Sequence, residues 1–150
     1  ALAQQQMNMT RSTVIDNNAI LTKWKTPIIA PEKVTGYAIY RSTDNATFSL
    51  FTTFSSPTHE YIDNDLNVNA QNYYYKIKAL NACNIDGKES NNSSSILLKA
   101  ELQEGNVNLT WTGYDGWNMG VDFYIIEKKD EKGNWETIKK ADGNTLIYED

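Results

Sequence analysis

The sequence predicts an all-β protein built from two consecutive β-sandwiches, and three features support this prediction. Apolar and polar residues alternate with a period of two, which is typical of strands with one buried face. Turn-forming residues separate these runs, and apolar stripes with helical spacing are missing. The chain also repeats itself without a gap after a shift of 87 positions. The matched pairs are Trp24 and Trp111, Tyr37 and Tyr124, Ile39 and Ile126, Arg41 and Lys128, Phe48 and Trp135, Phe51 and Ile138, Tyr61 and Tyr148, and Asp63 and Asp150.

The repeat defines a folding unit of about 85–90 residues, which is small but large enough to bury a core. We predict a first module at residues 1–94 and a second, incomplete module at residues 95–150. The second module has no counterpart of the strand near 72–80 or of the strand after it, so we expect it to lack its last two strands. Because such a module exposes an open sheet edge, we expect completion by residues beyond Asp150 or by a partner chain.

Seven strands are expected in the first module and five in the second. In the first module they lie near residues 9–15, 18–25, 35–42, 48–54, 59–62, 72–80 and 88–95. In the second module they lie near residues 96–101, 106–112, 122–129, 135–140 and 145–149.

The alternation within single runs indicates which side chains face the core. In the second run, Ile20 and Trp24 share one face, and Trp24 is expected to fill the space between the sheets. Burial of its indole is worth about 2–3 kcal/mol or more. In the sixth run, Tyr73 and Tyr75 are expected to point inward, which leaves Tyr74 free.

The segments between the runs are polar. Turns are predicted at 42–46 and 130–134, and Asn91–Ser95 is the candidate linker between the modules. Five residues span at most about 17 Å, so we expect limited swivel, with a soft hinge at this segment left open. From the repeat, Trp135 is expected to be core or semi-core, and Asp63 is expected to be a turn residue.

The charge distribution excludes two classes of partner. The net charge is −5, and all the excess negative charge falls in residues 88–150. Since no basic stripe exists, we expect neither nucleic acid nor an anionic membrane surface as a partner. No apolar run approaches the roughly 20 residues that span a bilayer, so no membrane insertion is expected.

Catalysis and metal binding are not expected. The only histidine, His59, and the only cysteine, Cys83, belong to separate predicted segments, and no catalytic residue or cofactor is assigned. The string Asp63-x-Asp65-x-Asn67 resembles the opening of a calcium loop. Val68 and Tyr74, however, occupy the positions that need glycine and glutamate, so no metal site is assigned.

Three strand motifs resemble those of fibronectin type III domains. They are Ile20-x-Thr22-x-Trp24, Tyr37-x-Ile39-x-Arg41 and Tyr73-x-Tyr75-x-Ile77-x-Ala79. The absence of a cysteine pair also favours that family over a disulfide-pinned immunoglobulin domain. The loop at 66–71 departs from the family, which carries Leu-x-Pro-Gly-Thr there. The resemblance covers nearly the whole chain and implies tandem fibronectin type III-like sandwiches.

A narrower resemblance bears on function. The segments 81–91, 95–100, 109–117, 120–121 and 124–127 are similar to paired modules in large surface proteins of gliding Bacteroidota. Such pairs often precede a C-terminal sorting domain of the type IX secretion system. The resemblance implies an exported, extracellular or cell-surface protein with an adhesin or gliding-associated role. It also implies partners in the secretion or surface-attachment machinery and further modules of the same chain.

The sequence therefore supports two alternative hypotheses for the function. The first is a non-enzymatic spacer or display region of an exported surface protein. The alternative is a carbohydrate- or matrix-binding accessory module of a larger secreted enzyme, with a glycan as its ligand. Its binding residues would be Tyr114 and Trp117 in the glycine-rich loop Gly113–Gly120. The plainer interpretation of this loop is that Trp117 folds back to cap the edge of a sandwich.

Overall fold

The computed structural model describes residues 6–26, 34–55, 58–81 and 87–150, and these residues form strands, turns and loops. Cys83 lies outside the described residues. Among the described residues, no helix is long and apolar enough to cross a bilayer. The prediction of an all-β chain with antiparallel sheets is confirmed.

The first sandwich consists of two antiparallel sheets. One sheet has the order β1-β2-β5, and the other has the order β4-β3-β6-β7. The strands are β1 (Asn8–Asp16), β2 (Ala19–Lys25), β3 (Gly36–Ser42), β4 (Ser49–Phe54), β5 (Glu60–Asp63), β6 (Tyr74–Leu80) and β7 (Ser93–Ser94).

The core of this sandwich follows from the alternation in its strands. Trp24 is buried and packs edge-on against Tyr37, with 5.3 Å between the ring centroids. Tyr75 and Ile77 enter from β6 and are fully buried, whereas Tyr74 is only half-buried. The inward positions that the sequence predicts for Trp24 and Tyr75 are therefore confirmed.

The second sandwich repeats the first up to its fifth strand. One sheet has the order β12-β9-β8 and the other contains β10 and β11. The strands are β8 (Leu98–Gln103), β9 (Asn106–Trp111), β10 (Phe123–Lys129), β11 (Trp135–Asp142) and β12 (Ile147–Glu149). The β10–β11 pair even has its irregularity between Ile126 and Glu127, 87 residues after the one between Ile39 and Tyr40. Its buried cluster is small and consists of Trp111, Ile126 and Ala141.

The predicted strand at 88–95 is wrong in extent, and the shorter observed strand lies within the predicted linker Asn91–Ser95. Lys88 makes an isolated parallel bridge to Gln6, and the strand itself shrinks to Ser93–Ser94. Both serines are fully buried, as is Ser95. This segment thus contains β7, a buried strand at the edge of the β4-β3-β6-β7 sheet.

Two smaller expectations are also corrected. Trp135 is 63% exposed rather than core or semi-core. Asp63 is not a turn residue, because it ends β5 with its side chain in the interior, 1% exposed. There its carboxylate accepts hydrogen bonds from Arg41 at 2.9 and 3.1 Å and from the Tyr75 hydroxyl at 2.8 Å.

Candidate functional site

The glycine-rich loop of the second sandwich lies against the first sandwich. Trp117 donates its indole N–H to the backbone carbonyl of Thr10 in β1 at 2.9 Å. The hydroxyls of Tyr114 and Ser93 are 3.1 Å apart, within hydrogen-bond distance. The rings of Tyr114 and Trp117 pack on each other with 4.7 Å between centroids. The two predicted site residues therefore come together, and Trp117 caps the neighbouring sandwich rather than its own.

Asp115 holds the middle of this contact. Its backbone N–H donates to the Ser94 hydroxyl at 2.7 Å, and its carbonyl accepts from the Ser94 N–H at 2.8 Å. One oxygen of its carboxylate accepts from the side-chain amides of Asn45 and Asn92, both at 2.9 Å. A single residue of the second sandwich therefore bonds to β7 and to the β3–β4 turn of the first.

Asn91 closes the junction from the other side. Its side-chain oxygen accepts from the Met9 N–H at 2.8 Å, and its amide donates to the Met9 carbonyl at 3.0 Å. The same amide donates to the Gly116 carbonyl at 2.8 Å. Asn91 thus ties β1 to the loop of the second sandwich through one planar group.

Buried hydroxyls replace apolar side chains along the junction. Ser12 and Ser93 lie 2.9 Å apart through their hydroxyls, and the Ser95 hydroxyl accepts from the Tyr73 N–H at 3.0 Å. Because each hydroxyl has a partner, their burial avoids the penalty of unsatisfied polar groups.

Gly116 permits the close approach of the two backbones. Its φ is +148°, and a Cβ atom there would lie 2.6 Å from the Asn92 carbonyl oxygen and 3.1 Å from the Ser93 Cα. These neighbours are backbone atoms and have little freedom to move. The loop therefore needs a glycine at this position for steric reasons and for its backbone conformation.

Burial in the junction also changes the acidity of Tyr114. Desolvation is the largest influence and raises the pKa of its hydroxyl, and the nearby negative charge of Asp115 acts in the same direction. The hydrogen bond with Ser93 lowers the pKa but does not cancel the increase. Burial in the junction therefore favours the neutral form of the Tyr114 hydroxyl.

A shallow groove of about 310 Å³ runs along the edge of the junction. Met9 and Thr10 form one wall, and Trp117 and Met119 form the other. Trp117 is 52% exposed and Met119 is 96% exposed, so the loop presents apolar surface to solvent while its inner side is bonded. The groove offers an exposed indole on which a ligand could stack.

The other sequence candidates do not converge on this junction. The His59 ring nitrogen lies 2.7 Å from the Thr26 hydroxyl on the surface of the first sandwich. Asp63 faces the interior, whereas Asp65 is exposed at a φ of 60°. Across the described ranges, no group of three potential metal-ligating side chains is found.

The sequence analysis identified Tyr114 and Trp117 but missed the residues of the first sandwich that contact their loop. Asn91, Asn92 and the three serines that follow carried only a polar composition, which equally suits a linker. Their partners lie between 21 and 82 positions away along the chain, so no local pattern signals them.

Comparison with known proteins identifies the fold only. No protein-family model matches the chain, and no curated protein sequence matches it. A β-1,2-glucanase from Parabacteroides distasonis is similar in structure, with 21% identity and a TM-score of 0.52. That similarity covers 63% of this chain and 13% of the glucanase chain.

Two further structures resemble the chain more weakly. A myokine shares 16% identity with a TM-score of 0.49, over 63% of this chain and 95% of its own. A pectate lyase from Erwinia chrysanthemi shares 19% identity with a TM-score of 0.47, over 61% of this chain and 28% of its own. The chain thus spans a small part of each of the two enzymes, and its resemblance to them is one of fold.

Proposed function

We propose that this chain is a non-enzymatic spacer or display region of an exported cell-surface protein, built from two fibronectin type III-like sandwiches. The observation that carries the proposal is the bonded junction, in which Asn91, Asp115 and Trp117 join the sandwiches without a free linker. Such a junction fixes the distance and direction between whatever precedes the first sandwich and whatever follows the second. A rigid element of this kind serves a protein that must hold other parts away from a surface.

The assignment to fibronectin type III-like modules has its own support. The three strand motifs of the first sandwich fall on β2, β3 and β6, except that Tyr73 immediately precedes β6, and Trp24 fills the space between two sheets. The sheet orders β1-β2-β5 and β4-β3-β6-β7 suit a seven-stranded sandwich of this type.

Export to the cell surface by the type IX route rests on the resemblance to paired modules of gliding Bacteroidota. On this proposal, the protein acts as an adhesin or in gliding, and its partners are the secretion or attachment machinery. The acidic second sandwich gives the chain a surface that does not attract phosphate groups.

Rigidity of the junction is tested by comparing the tumbling of the two sandwiches by ¹⁵N NMR relaxation. We expect one common rotational correlation time for both sandwiches of the native chain. Two different correlation times would contradict the proposed spacer, because sandwiches that tumble separately cannot set a distance.

Surface display is tested by antibody labelling of intact cells that produce the protein. We expect antibodies raised against residues 6–150 to label intact cells or the culture medium. Labelling only after the cells are permeabilised would contradict export while leaving the rigid junction unaffected.

Glycan binding is a second candidate function, favoured by the groove beside Trp117. A half-exposed indole next to polar backbone groups suits the apolar face and hydroxyl rim of a sugar ring. The fold likeness to a β-1,2-glucanase suggests β-1,2-glucan as the first ligand to test. On this proposal the chain would be an accessory module of a larger secreted enzyme.

The glycan hypothesis is tested by affinity electrophoresis in gels that contain β-1,2-glucan. Retardation is expected to disappear in Trp117→Ala and to weaken in Met119→Asp, which changes the groove without removing a junction hydrogen bond. Trp135→Ala is the matched control, because Trp135 is also more than half exposed but lies on β11, away from the groove. If all three variants were retarded as strongly as the native chain, the groove would be excluded as the glycan-binding site.

A further inference from the structure

The groove beside Trp117 has walls from both sandwiches. Met9 and Thr10 belong to β1 of the first sandwich, whereas Trp117 and Met119 belong to the glycine-rich loop of the second. Its volume of about 310 Å³ is at the small end of ligand pockets, which measure about 300–1,000 Å³. The groove therefore exists as a two-walled site only while the sandwiches stay in contact.

The chemistry of the groove suits an uncharged ligand. None of the described residues that line it carries a charge, and both walls combine apolar side chains with side-chain amides. A neutral sugar has the matching combination, with apolar faces and a rim of hydroxyl groups. A sugar carboxylate would find no cation among these lining residues and would meet a chain of net charge −5.

Two groove residues use their polar atoms to hold the junction closed. The Trp117 N–H donates to the Thr10 carbonyl at 2.9 Å. The Asn91 amide donates to the carbonyls of Met9 and Gly116 at 3.0 and 2.8 Å. These residues can offer a ligand their outer surface, but their donors are already engaged.

Asn8 and Asn118 are the groove side chains that remain available for hydrogen bonds. Asn8 is the first residue of β1, Asn118 follows Trp117 in the loop, and both are exposed. Within the described part of the chain, no hydrogen bond engages either side-chain amide. A primary amide donates to one hydroxyl and accepts from another, which suits adjacent hydroxyls of a sugar ring. Because the two amides belong to different sandwiches, one ligand can contact both walls.

We propose that Asn8 and Asn118 are the hydrogen-bonding residues of a neutral-glycan site that bridges the two sandwiches. The inference rests on the proposed glycan-binding function, to which it adds the polar residues of the site and a consequence for the junction. In the bound state, Trp117 stacks on one sugar ring, and the two amides bind hydroxyls from opposite walls. Since the glycan needs both walls, it binds only the closed junction and stabilises it.

The two asparagines are tested by affinity electrophoresis in gels that contain β-1,2-glucan. Asn8→Ala and Asn118→Ala are each expected to raise Kd about tenfold, the effect of one or two lost hydrogen bonds. Asn106→Ala is the matched control, because Asn106 is also exposed and begins a strand, β9, outside the groove. Polygalacturonate, which carries a carboxylate on each sugar, is expected not to retard the native chain.

The bridge between the sandwiches is tested by hydrogen exchange of the Asp115 backbone amide, measured by NMR. This N–H donates across the junction to the Ser94 hydroxyl, and Asp115 does not line the groove. At a β-1,2-glucan concentration of about ten times Kd, a ligand specific for the closed junction should slow this exchange about tenfold. The amides of the β8–β9 pair serve as the internal control, because that pair lies within the second sandwich.

Each negative result has a separate meaning. If β-1,2-glucan does not retard the native chain, the glycan-binding function and this inference both fail. If it retards the native chain and both asparagine variants equally, glycan binding stands and the two asparagines are excluded from the site. If polygalacturonate retards the native chain as strongly, the ligand is not confined to neutral glycans. If saturating glucan leaves the Asp115 exchange unchanged, the glycan contacts one sandwich only and the bridge is overturned.

Discussion

The indole N–H of Trp117 in the second sandwich donates to the backbone carbonyl of Thr10 in the first, 107 positions earlier and 2.9 Å away. In the same loop, the Tyr114 hydroxyl lies 3.1 Å from the Ser93 hydroxyl, and the Asp115 N–H donates to the Ser94 hydroxyl at 2.7 Å. The contacts are polar and directional, so they define one relative orientation of the sandwiches rather than a general adhesion between them.

Replacement of Trp117 by alanine should loosen the junction while both sandwiches stay folded. The change removes one hydrogen bond, worth about 0.5–1.5 kcal/mol, and an aromatic contact with Tyr114 of about 0.5–1.5 kcal/mol. We expect ¹⁵N relaxation to show two different rotational correlation times in the variant. Trp135→Ala removes another indole that is more than half exposed but lies away from the junction, and it should keep the common correlation time. A common correlation time in Trp117→Ala would mean that Asn91 and Asp115 suffice to hold the sandwiches.

Replacement of Gly116 by alanine should disturb the same junction by a steric route. The new methyl group would lie 2.6 Å from the Asn92 carbonyl oxygen, so the loop must move away from β7. Gly120→Ala is the matched control, because Gly120 also has a positive φ, of +75°, but open space around it. We expect both variants to lose about 1 kcal/mol from backbone strain, and only Gly116→Ala to lose clearly more in urea unfolding. If both variants lost the same amount of unfolding free energy, the close approach of residue 116 to the Asn92 carbonyl would not contribute to the destabilisation.

The strands and the buried tyrosines were predictable because their signals are local. Period-two alternation alone places Trp24 and Tyr75 on inward faces, and the turns between strands carry their own residue types. The repeat gave a second, independent basis for predicting strands, because it assigned β10 and β11 from their counterparts β3 and β4.

The exposure of Trp135 was not predictable from its counterpart Phe48. Phe48 is half-buried, and the amine of Lys76 in β6 lies 4.4 Å from the centre of its ring. Among the described residues, β10 and β11 pair with each other and with no further strand, and the Lys129 amine lies 4.9 Å from the centre of the Trp135 ring. Burial of a residue in one module predicts burial of its counterpart in the next module only where the neighbouring strand is repeated as well.

The junction was only half predictable. An aromatic pair in a glycine-rich loop marks a contact surface, so Tyr114 and Trp117 stood out. The acceptors are a backbone carbonyl in β1 and a row of serines, however, and neither has a distinctive residue type. Serine is common in linkers and in buried hydrogen-bonded strands alike, so composition alone left a soft hinge at Asn91–Ser95 open.

Loss of the Asp63 carboxylate should destabilise the first sandwich strongly. Asp63 is buried and accepts from Arg41 and Tyr75, so Asp63→Ala leaves a partly buried guanidinium and a buried hydroxyl without their acceptor. We expect a loss of about 3–5 kcal/mol in the free energy of unfolding, measured in urea. Glu60→Gln, which removes the exposed ion pair with Lys23, should leave the unfolding midpoint almost unchanged. A small loss in Asp63→Ala would mean that water replaces the carboxylate in the interior.

Alkaline pH should weaken the first sandwich through Tyr75. Burial and the neighbouring charge of Asp63 raise the pKa of its hydroxyl far above the ordinary value of about 10. The fold therefore keeps the proton that the unfolded chain releases, so the stabilisation is complete below about pH 10 and declines as the pH rises above it. We expect the free energy of unfolding to fall by about 1.4 kcal/mol more per pH unit above pH 10 in the native chain than in Tyr75→Phe. Tyr74→Phe, which changes a half-buried neighbour on the opposite face, should keep the native slope. Identical slopes in the native chain and Tyr75→Phe would mean that the Tyr75 hydroxyl ionises without opening the core.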